Sequence, residues 1–87
     1  MVKSEITLVN AVGLYARPAT MFVQEAGKYK SSITLEKGEM RINAKSLLGV
    51  LSLCLTKGST ATLIADGVDE KEALMTLSYM ISNGFQE

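Results

Sequence analysis

Four stretches of the chain alternate between apolar and polar residues, as strands do when one face of a sheet is buried. They are residues 2–9, 33–36, 40–43 and 60–65, and a turn at Gly38 joins the middle two into a hairpin. The alternation therefore predicts four strands, each with one side facing a core.

Three other stretches repeat their apolar residues at helical spacing, namely residues 19–26, 47–55 and 73–81. Gly27 is expected to end the first helix as a left-handed cap, and Asp69 to begin the last helix within a capping box. The order β-α-β-β-α-β-α fits an α+β domain with helices on one face of a sheet. On the pattern alone, a ferredoxin-like arrangement remains an alternative.

The chain has 87 residues, which suffices for one domain, and we expect a single domain over 1–87. Cys54 is the only cysteine and lies in an apolar run, so we expect it to be buried in a protein of a reducing compartment. No apolar stretch reaches the length of a membrane span or resembles a signal core. The sequence therefore predicts a cytoplasmic protein with no membrane partner.

Composition also argues against several function classes. Nine basic residues balance nine acidic ones, which argues against direct binding of nucleic acid. The chain has no histidine, and one cysteine with scattered carboxylates does not predict a metal site. Paired carboxylates, a nucleophile with its base and a glycine-rich phosphate loop are all missing, so we predict neither an enzyme nor a bound cofactor.

Residues 13–20, GLYARPAT, join the first strand to the first helix. Pro18 suits the first turn of a helix because it has no N–H to leave unpaired. The unpaired N–H groups that follow it and the helix dipole favour an anion, and Arg17 adds a planar set of donors for phosphate or carboxylate. The segment predicts an anion site with Tyr15 beside it. The alternative is a purely structural turn followed by a solvated Arg17.

Ser46 precedes an unusually apolar helix, LLGVLSLCL. Apolar side chains cover about 220° of its circumference, roughly twice what packing against a sheet requires. We therefore expect Leu47, Leu48 and Leu51 to form an exposed patch beside Ser46, of the kind that marks a docking surface. Ser46 is also a normal N-cap residue, and a helix cap with no regulatory role is the alternative.

Two motifs resemble those of the HPr family, the small phosphocarriers of the bacterial sugar phosphotransferase system. GLYARPA is similar to the active-site motif G-[LI]-H-A-R-P-A, and INAKSLLGVLSL resembles the second signature of the family. The spacing of the two motifs agrees, and the resemblance covers essentially the whole chain. It implies an open-faced β-sandwich, a four-stranded antiparallel sheet in the order 1-4-2-3 covered on one face by three helices.

Tyr15 stands where the family motif has the histidine that carries phosphate. A neutral imidazole accepts a phosphoryl group near neutral pH and passes it on readily. A phenol, with an ordinary pKa of about 10, is almost wholly protonated there and forms a more durable ester. We therefore do not expect Tyr15 to relay phosphate. In this respect the chain resembles the Crh-like members of the family, in which glutamine is the usual replacement.

Ser46 matches a serine in the second signature of the family. In HPr-like proteins of many Gram-positive bacteria, a dedicated kinase phosphorylates this serine from ATP. The resemblance implies as partners a serine kinase/phosphorylase, a LacI-type catabolite repressor and other phosphotransferase-system proteins. It also implies that Arg17 lies near Ser46. The residues expected to bind an anion or a partner are Arg17, Lys45 and Tyr15, and those expected at the partner interface are Leu47, Leu48 and Leu51.

The sequence thus predicts a regulatory HPr-like protein of carbon catabolite repression, phosphorylated at Ser46 and without histidine phosphotransfer. Two alternatives stay open. One is a phosphocarrier HPr, in a variant or engineered form, with its histidine replaced by Tyr15. The other is an HPr-like domain with a partner of its own and no phosphorylation.

Overall fold

The computed structural model describes residues 1–86 and shows one antiparallel sheet with helices packed against it. In chain order the elements are β1 Val2–Thr7, α1 Ala16–Ala26, β2 Ser32–Lys37, β3 Met40–Asn43, α2 Leu47–Ser52, β4 Thr60–Asp66 and α3 Glu70–Ser82, followed by a 3₁₀ turn at Gly84–Gln86. The strand order is β1-β4-β2-β3. The predicted open-faced α+β fold is therefore confirmed.

The core lies between the sheet and the helices, and the predicted alternation places it there. Leu35 of β2 and Leu63 of β4 are fully buried from the sheet side, and Phe22 of α1 and Leu77 of α3 from the helix side. Ile64 lies on the side of β4 that the pattern assigns to polar residues, yet it is only 4% exposed. Lys3 of β1 and Thr34 of β2 lie directly opposite Ile64 on the two neighbouring strands, so their side chains flank it on the same face of the sheet.

The first two helices end differently from the prediction. Gly27 has a φ of −65°, so it continues in right-handed geometry and is not the left-handed cap that we expected. The second helix ends at Ser52 rather than at residue 55. Cys54 then adopts a φ of +52° and is exposed, so the expectation of a buried cysteine was wrong. The helical spacing that would have buried it does not extend that far.

Asp69 precedes α3, but its carboxylate makes no bond to the start of that helix. It accepts hydrogen bonds from the Ser31 hydroxyl at 2.5 Å and from the N–H groups of Lys30 and Ser31 at 2.9 Å each. These donors, the Ser31 hydroxyl first, lower the pKa of Asp69 to about 2. The predicted capping box was wrong, because Asp69 ties α3 to the loop before β2 instead.

The longest of the described helices is α3, with 13 residues. None of the helices in residues 1–86 is long and apolar enough to cross a bilayer. The same residues contain no group of three or more histidine, cysteine or acidic side chains placed to hold a metal ion.

Candidate functional site

The first candidate region is residues 13–18, which we call the Tyr15 segment. Contacts with the distant residue Leu55 hold its beginning in place. Gly13 has a φ of +65°, and a Cβ atom there would lie 2.2 Å from the carbonyl oxygen of Leu55. The N–H of Leu14 donates to that same oxygen at 2.8 Å. Only glycine fits this position, so Gly13 sets the direction in which the chain enters the segment.

Asn10 closes the turn that precedes the Tyr15 segment. Its side-chain amide donates to the Gly13 carbonyl at 2.9 Å, and its own carbonyl accepts from the Gly13 N–H at 3.2 Å. The residue is buried. We did not predict Asn10 as a site residue, although asparagine shortly before a glycine is a turn signal that identifies such positions.

Tyr15 and Ala16 turn the chain into α1. Tyr15 is extended, with φ −145° and ψ 160°, and 63% of its surface is exposed. Ala16 follows with a φ of +52°, in the left-handed region where a side chain costs about 1 to 2 kcal/mol. The phenol therefore stands at the surface, beside a strained backbone position at the beginning of the helix.

The beginning of α1 offers donors suited to an anion. Within residues 1–86, no backbone acceptor is in range of the N–H groups of Ala16 and Arg17, which precede Pro18 rather than follow it. Arg17 is exposed, and among the described residues it forms no ion pair. Its side chain borders a cavity of about 270 Å³ that Phe85 also lines. Together with the helix dipole, these donors are consistent with the predicted anion site, which stays a prediction.

The second candidate region is residues 45–48, which we call the Ser46 cap. Ser46 is extended, with φ −103° and ψ 117°, and its hydroxyl oxygen accepts a hydrogen bond from the Gly49 N–H at 3.2 Å. This is the N-cap geometry that the local sequence favours. The residue is exposed, so its hydroxyl lies at the surface of the protein.

Lys45 directs its ammonium group to the loop that follows α1. Its Nζ donates to the Tyr29 carbonyl at 2.7 Å, and its backbone N–H donates to the Asn43 side chain at 2.9 Å. The side chain is half-buried. The described hydrogen bonds do not join the ammonium group to Ser46, so the predicted role of Lys45 in binding an anion there stays a prediction. The structure thus brings the backbones of Lys45 and Ser46 together but directs the charge of Lys45 elsewhere.

Two of the three predicted interface leucines are exposed. Leu48 has 81% and Leu47 39% of its surface exposed, and we call this pair the leucine patch. Leu51 is half-buried and packs against the core, so the expectation that it is exposed was wrong. It follows the fully buried Val50, on the side of α2 that meets the rest of the domain. The apolar surface beside Ser46 is therefore smaller than predicted.

The Tyr15 segment and the Ser46 cap lie at the beginnings of α1 and α2, and these two helices pack against each other. The described contacts do not join Arg17 to Ser46 directly, so the implied proximity of these two residues stays a prediction.

Known proteins resemble the chain along nearly its whole length. Residues 2–83 match the family described as PTS HPr component phosphorylation site. The chain is 47% identical over 77 residues to HPr-like protein Crh of Halalkalibacterium halodurans, which covers 88% of this chain and 92% of that protein. It is 38% identical over 87 residues to phosphocarrier protein HPr of Neisseria meningitidis serogroup A. That match covers 100% of this chain and 98% of that protein.

A solved structure agrees with these sequence matches. The crystal structure of HPr-C-His from Thermoanaerobacter tengcongensis superposes with a TM-score of 0.98 at 42% identity. The match covers 100% of this chain and 98% of that one. The chain belongs to the HPr family of the phosphotransferase system.

Proposed function

We propose that the chain is a regulatory HPr-like protein of carbon catabolite repression that acts as a single binding domain rather than as an enzyme. A serine kinase/phosphorylase phosphorylates it at Ser46, and the phosphorylated form binds a LacI-type repressor in the cytoplasm. Histidine phosphotransfer plays no part. The observation that carries this proposal is the absence of histidine from all 87 residues, together with an exposed hydroxyl at Ser46.

The Tyr15 segment supports the negative half of the proposal. The strained Ala16 and the unpaired donors of α1 form a surface that suits an anion, but the side chain at its centre is a phenol. A phenol is a poor nucleophile near neutral pH, and a phosphate ester of tyrosine is a poor onward donor compared with a phosphohistidine. Phosphoryl relay through Tyr15 is therefore disfavoured.

The Ser46 cap supports the positive half. Phosphate adds nearly two negative charges at the beginning of α2, where backbone N–H groups and the helix dipole favour them. The modification therefore changes the charge of the surface while leaving the helix folded. The leucine patch adjoins that charge, so one partner can read the phosphate and the apolar surface together. The matching relatives named HPr-like protein Crh also favour a regulatory role over a carrier role.

Phosphate mapping tests the modification. The protein is incubated either with ATP and the serine kinase or with phosphoenolpyruvate and the general phosphotransferase enzymes, and the mass increase is located by peptide mapping. We expect one phosphate on Ser46 from ATP and none from phosphoenolpyruvate. Ser46→Ala should abolish the labelling. Ser52→Ala is the matched control, because Ser52 is an exposed serine of the same helix, and it should be labelled normally.

A binding measurement with the repressor tests the proposed effect of Ser46 phosphorylation. We expect the phosphorylated protein to bind a LacI-type repressor and the unmodified protein to bind it at least tenfold more weakly. Leu48→Ala should weaken binding without reducing phosphorylation, whereas Val68→Ala, at a similarly exposed apolar residue outside both regions, should change neither. Phosphate that enters at Tyr15 and passes on to a sugar transporter component would establish the phosphocarrier alternative. Equal repressor binding by both forms would contradict the switch.

A further inference from the structure

The face of the sheet that the helices leave uncovered carries a cavity of about 570 Å³, and no residue of the described helices lines it. It lies where β2 begins and where β3 and β4 end. Ser32 and Thr34 line it from β2, Asn43 from β3 and Ile64 from β4. Thr34 lies directly opposite both Asn43 and Ile64, so these side chains share one face of the sheet. We call this the open-face cavity.

Positive charge is concentrated around the open-face cavity. Lys30, Arg41 and Lys45 line it, whereas Asp66 is the one carboxylate among the described residues of its lining. The chain as a whole has equal numbers of basic and acidic residues. The excess of cations is therefore a local feature, which attracts an anion to this part of the surface.

The ammonium group of Lys45 is held in place without being neutralised. Its Nζ donates to the Tyr29 carbonyl at 2.7 Å, which places it beside the loop that also supplies Lys30. A carbonyl carries no net charge, so the positive charge of Lys45 stays available to a ligand. An ammonium group has three N–H donors, and this bond uses only one of them.

The other two cations also retain free donors. The Nε of Arg41 lies 2.8 Å from a carboxylate oxygen of Glu36, which does not line the cavity. A guanidinium group has five N–H donors, so this contact leaves most of them for a ligand. The Lys30 ammonium group forms no ion pair within residues 1–86.

Uncharged donors complete the lining. The Asn43 side-chain oxygen accepts the Lys45 backbone N–H at 2.9 Å, which leaves the NH₂ group of that amide as a donor. Ser32 and Thr34 add two hydroxyl groups. The cavity therefore offers more donors than acceptors, and it suits a ligand with several acceptor oxygens.

We propose that the open-face cavity binds a small phosphate ester. A phosphate monoester carries nearly two negative charges and three acceptor oxygens near neutral pH, so it matches Lys30, Arg41 and Lys45 better than a singly charged carboxylate does. The hydroxyl groups of Ser32 and Thr34 contact the hydroxylated remainder of the ligand. The volume lies within the range of about 300 to 1,000 Å³ that is usual for small-molecule sites.

This site is distinct from the two regions described above. Lys45 is the only residue of the Ser46 cap that lines the cavity, and no residue of the Tyr15 segment does. The inference is therefore independent of the proposed function. The described lining contains no aromatic side chain, which argues against single-stranded nucleic acid as the ligand, since its bases stack on aromatic rings.

A titration of the full chain followed by NMR tests the ligand. Backbone amide signals are recorded with glycerol phosphate, and in parallel with glycerol and with inorganic phosphate. We expect glycerol phosphate to cause saturable shifts at Ser32, Thr34 and Asn43, with a Kd of about 1 mM or below. Glycerol should cause none. Inorganic phosphate should bind about threefold more weakly or less, because it lacks the part that contacts the hydroxyl groups.

Charge variants test the site. Lys30→Gln and Arg41→Gln should each weaken the binding of glycerol phosphate by about threefold, and the double variant by about tenfold. Lys57→Gln is the matched control, because Lys57 is an exposed lysine outside the cavity, and it should bind normally. Asp66→Asn removes the carboxylate of the lining and should strengthen binding by about twofold. All four positions are exposed, so urea unfolding should change little.

Several results would overturn the proposal. One is the absence of shifts at Ser32, Thr34 and Asn43 at about ten times the expected Kd. Another is a set of shifts confined to the Tyr15 segment, which would place the phosphate there instead. Equal weakening by Lys57→Gln and Lys30→Gln would show attraction to the overall charge rather than a site. Equal affinity for inorganic phosphate would overturn the assignment of an ester.

Discussion

The Tyr15 segment and the Ser46 cap both begin a helix, but different contacts determine their shapes. The shape of the Tyr15 segment depends on a distant residue, because only glycine at position 13 leaves room for the Leu55 carbonyl. The segment also contains a left-handed backbone position at Ala16. The backbone of the Ser46 cap is held by residues close to it in the chain. The Gly49 N–H donates to the Ser46 hydroxyl, and the Ser46 N–H donates to the Asn43 carbonyl. The Tyr15 segment has backbone donors suited to an anion but lacks a good nucleophile. The Ser46 cap is an ordinary helix N-cap whose hydroxyl is exposed. The shape of a site and its chemistry can therefore be separated within one small domain.

The largest expected effect comes from supplying the missing nucleophile. Tyr15→His places an imidazole in the existing shape, so phosphoryl transfer from phosphoenolpyruvate should rise by about a thousandfold or more, since only about one ordinary phenol in a thousand is ionised at neutral pH. The measurement is the initial rate of labelling with the general phosphotransferase enzymes. Tyr15→Phe, which keeps the ring without the hydroxyl, should be as inactive as the wild type. If Tyr15→His stays unlabelled, the segment lacks more than a nucleophile.

The next effect tests how the Tyr15 segment is held. Gly13→Ala forces a Cβ against the Leu55 carbonyl in a left-handed backbone, so it should lower the free energy of unfolding by about 2 to 4 kcal/mol. Gly38→Ala is the control, because Gly38 has a similar φ of +59° but no atom within 4 Å of the added Cβ. It should cost only about 1 kcal/mol. Equal losses in urea unfolding would show that the contact with Leu55 does not hold the segment.

A smaller effect tests how the Ser46 cap is held. Ser46→Ala removes the acceptor of the Gly49 N–H and should lower the free energy of unfolding by about 1 kcal/mol. Ser46→Asp retains a capping oxygen and should stay close to the wild type. Urea unfolding of the three proteins is the measurement. If Ser46→Ala is as stable as Ser46→Asp, the hydroxyl does not cap α2 in solution.

The smallest effect concerns a contact outside both regions. The pKa of Asp69 is lowered from 3.8 to about 2, so its contribution to stability is complete above about pH 4 and is lost as the pH falls towards 2. Asp69→Asn should therefore reduce stability at neutral pH and flatten the loss of stability between about pH 4 and pH 2. Urea unfolding at several pH values checks this. An unchanged pH dependence in the variant would show that Asp69 does not hold Ser31 as the structure places it.

Local patterns predicted the elements of this fold, and the family resemblance predicted their order. The alternation of apolar and polar residues predicted four strands. It did not distinguish this sheet from a ferredoxin-like one, so the strand order 1-4-2-3 was predicted from the resemblance of the two motifs to the HPr family. At the sites, the N-cap role of Ser46 was predictable because it needs only residues three positions apart. Three other features were not predictable, because each depends on how distant parts of the chain pack. They are the exposure of Cys54, the hydrogen bond from Lys45 to the Tyr29 carbonyl and the left-handed backbone of Ala16.

Sugar uptake in cells that lack their own HPr tests the central claim most directly. The chain is expressed with Tyr15 in place, and growth on a sugar taken up by the phosphotransferase system is measured alongside the Tyr15→His variant. We predict no uptake with Tyr15 and measurable uptake with histidine. Uptake restored by the unaltered chain would contradict the account, because it would show that Tyr15 carries phosphate onward.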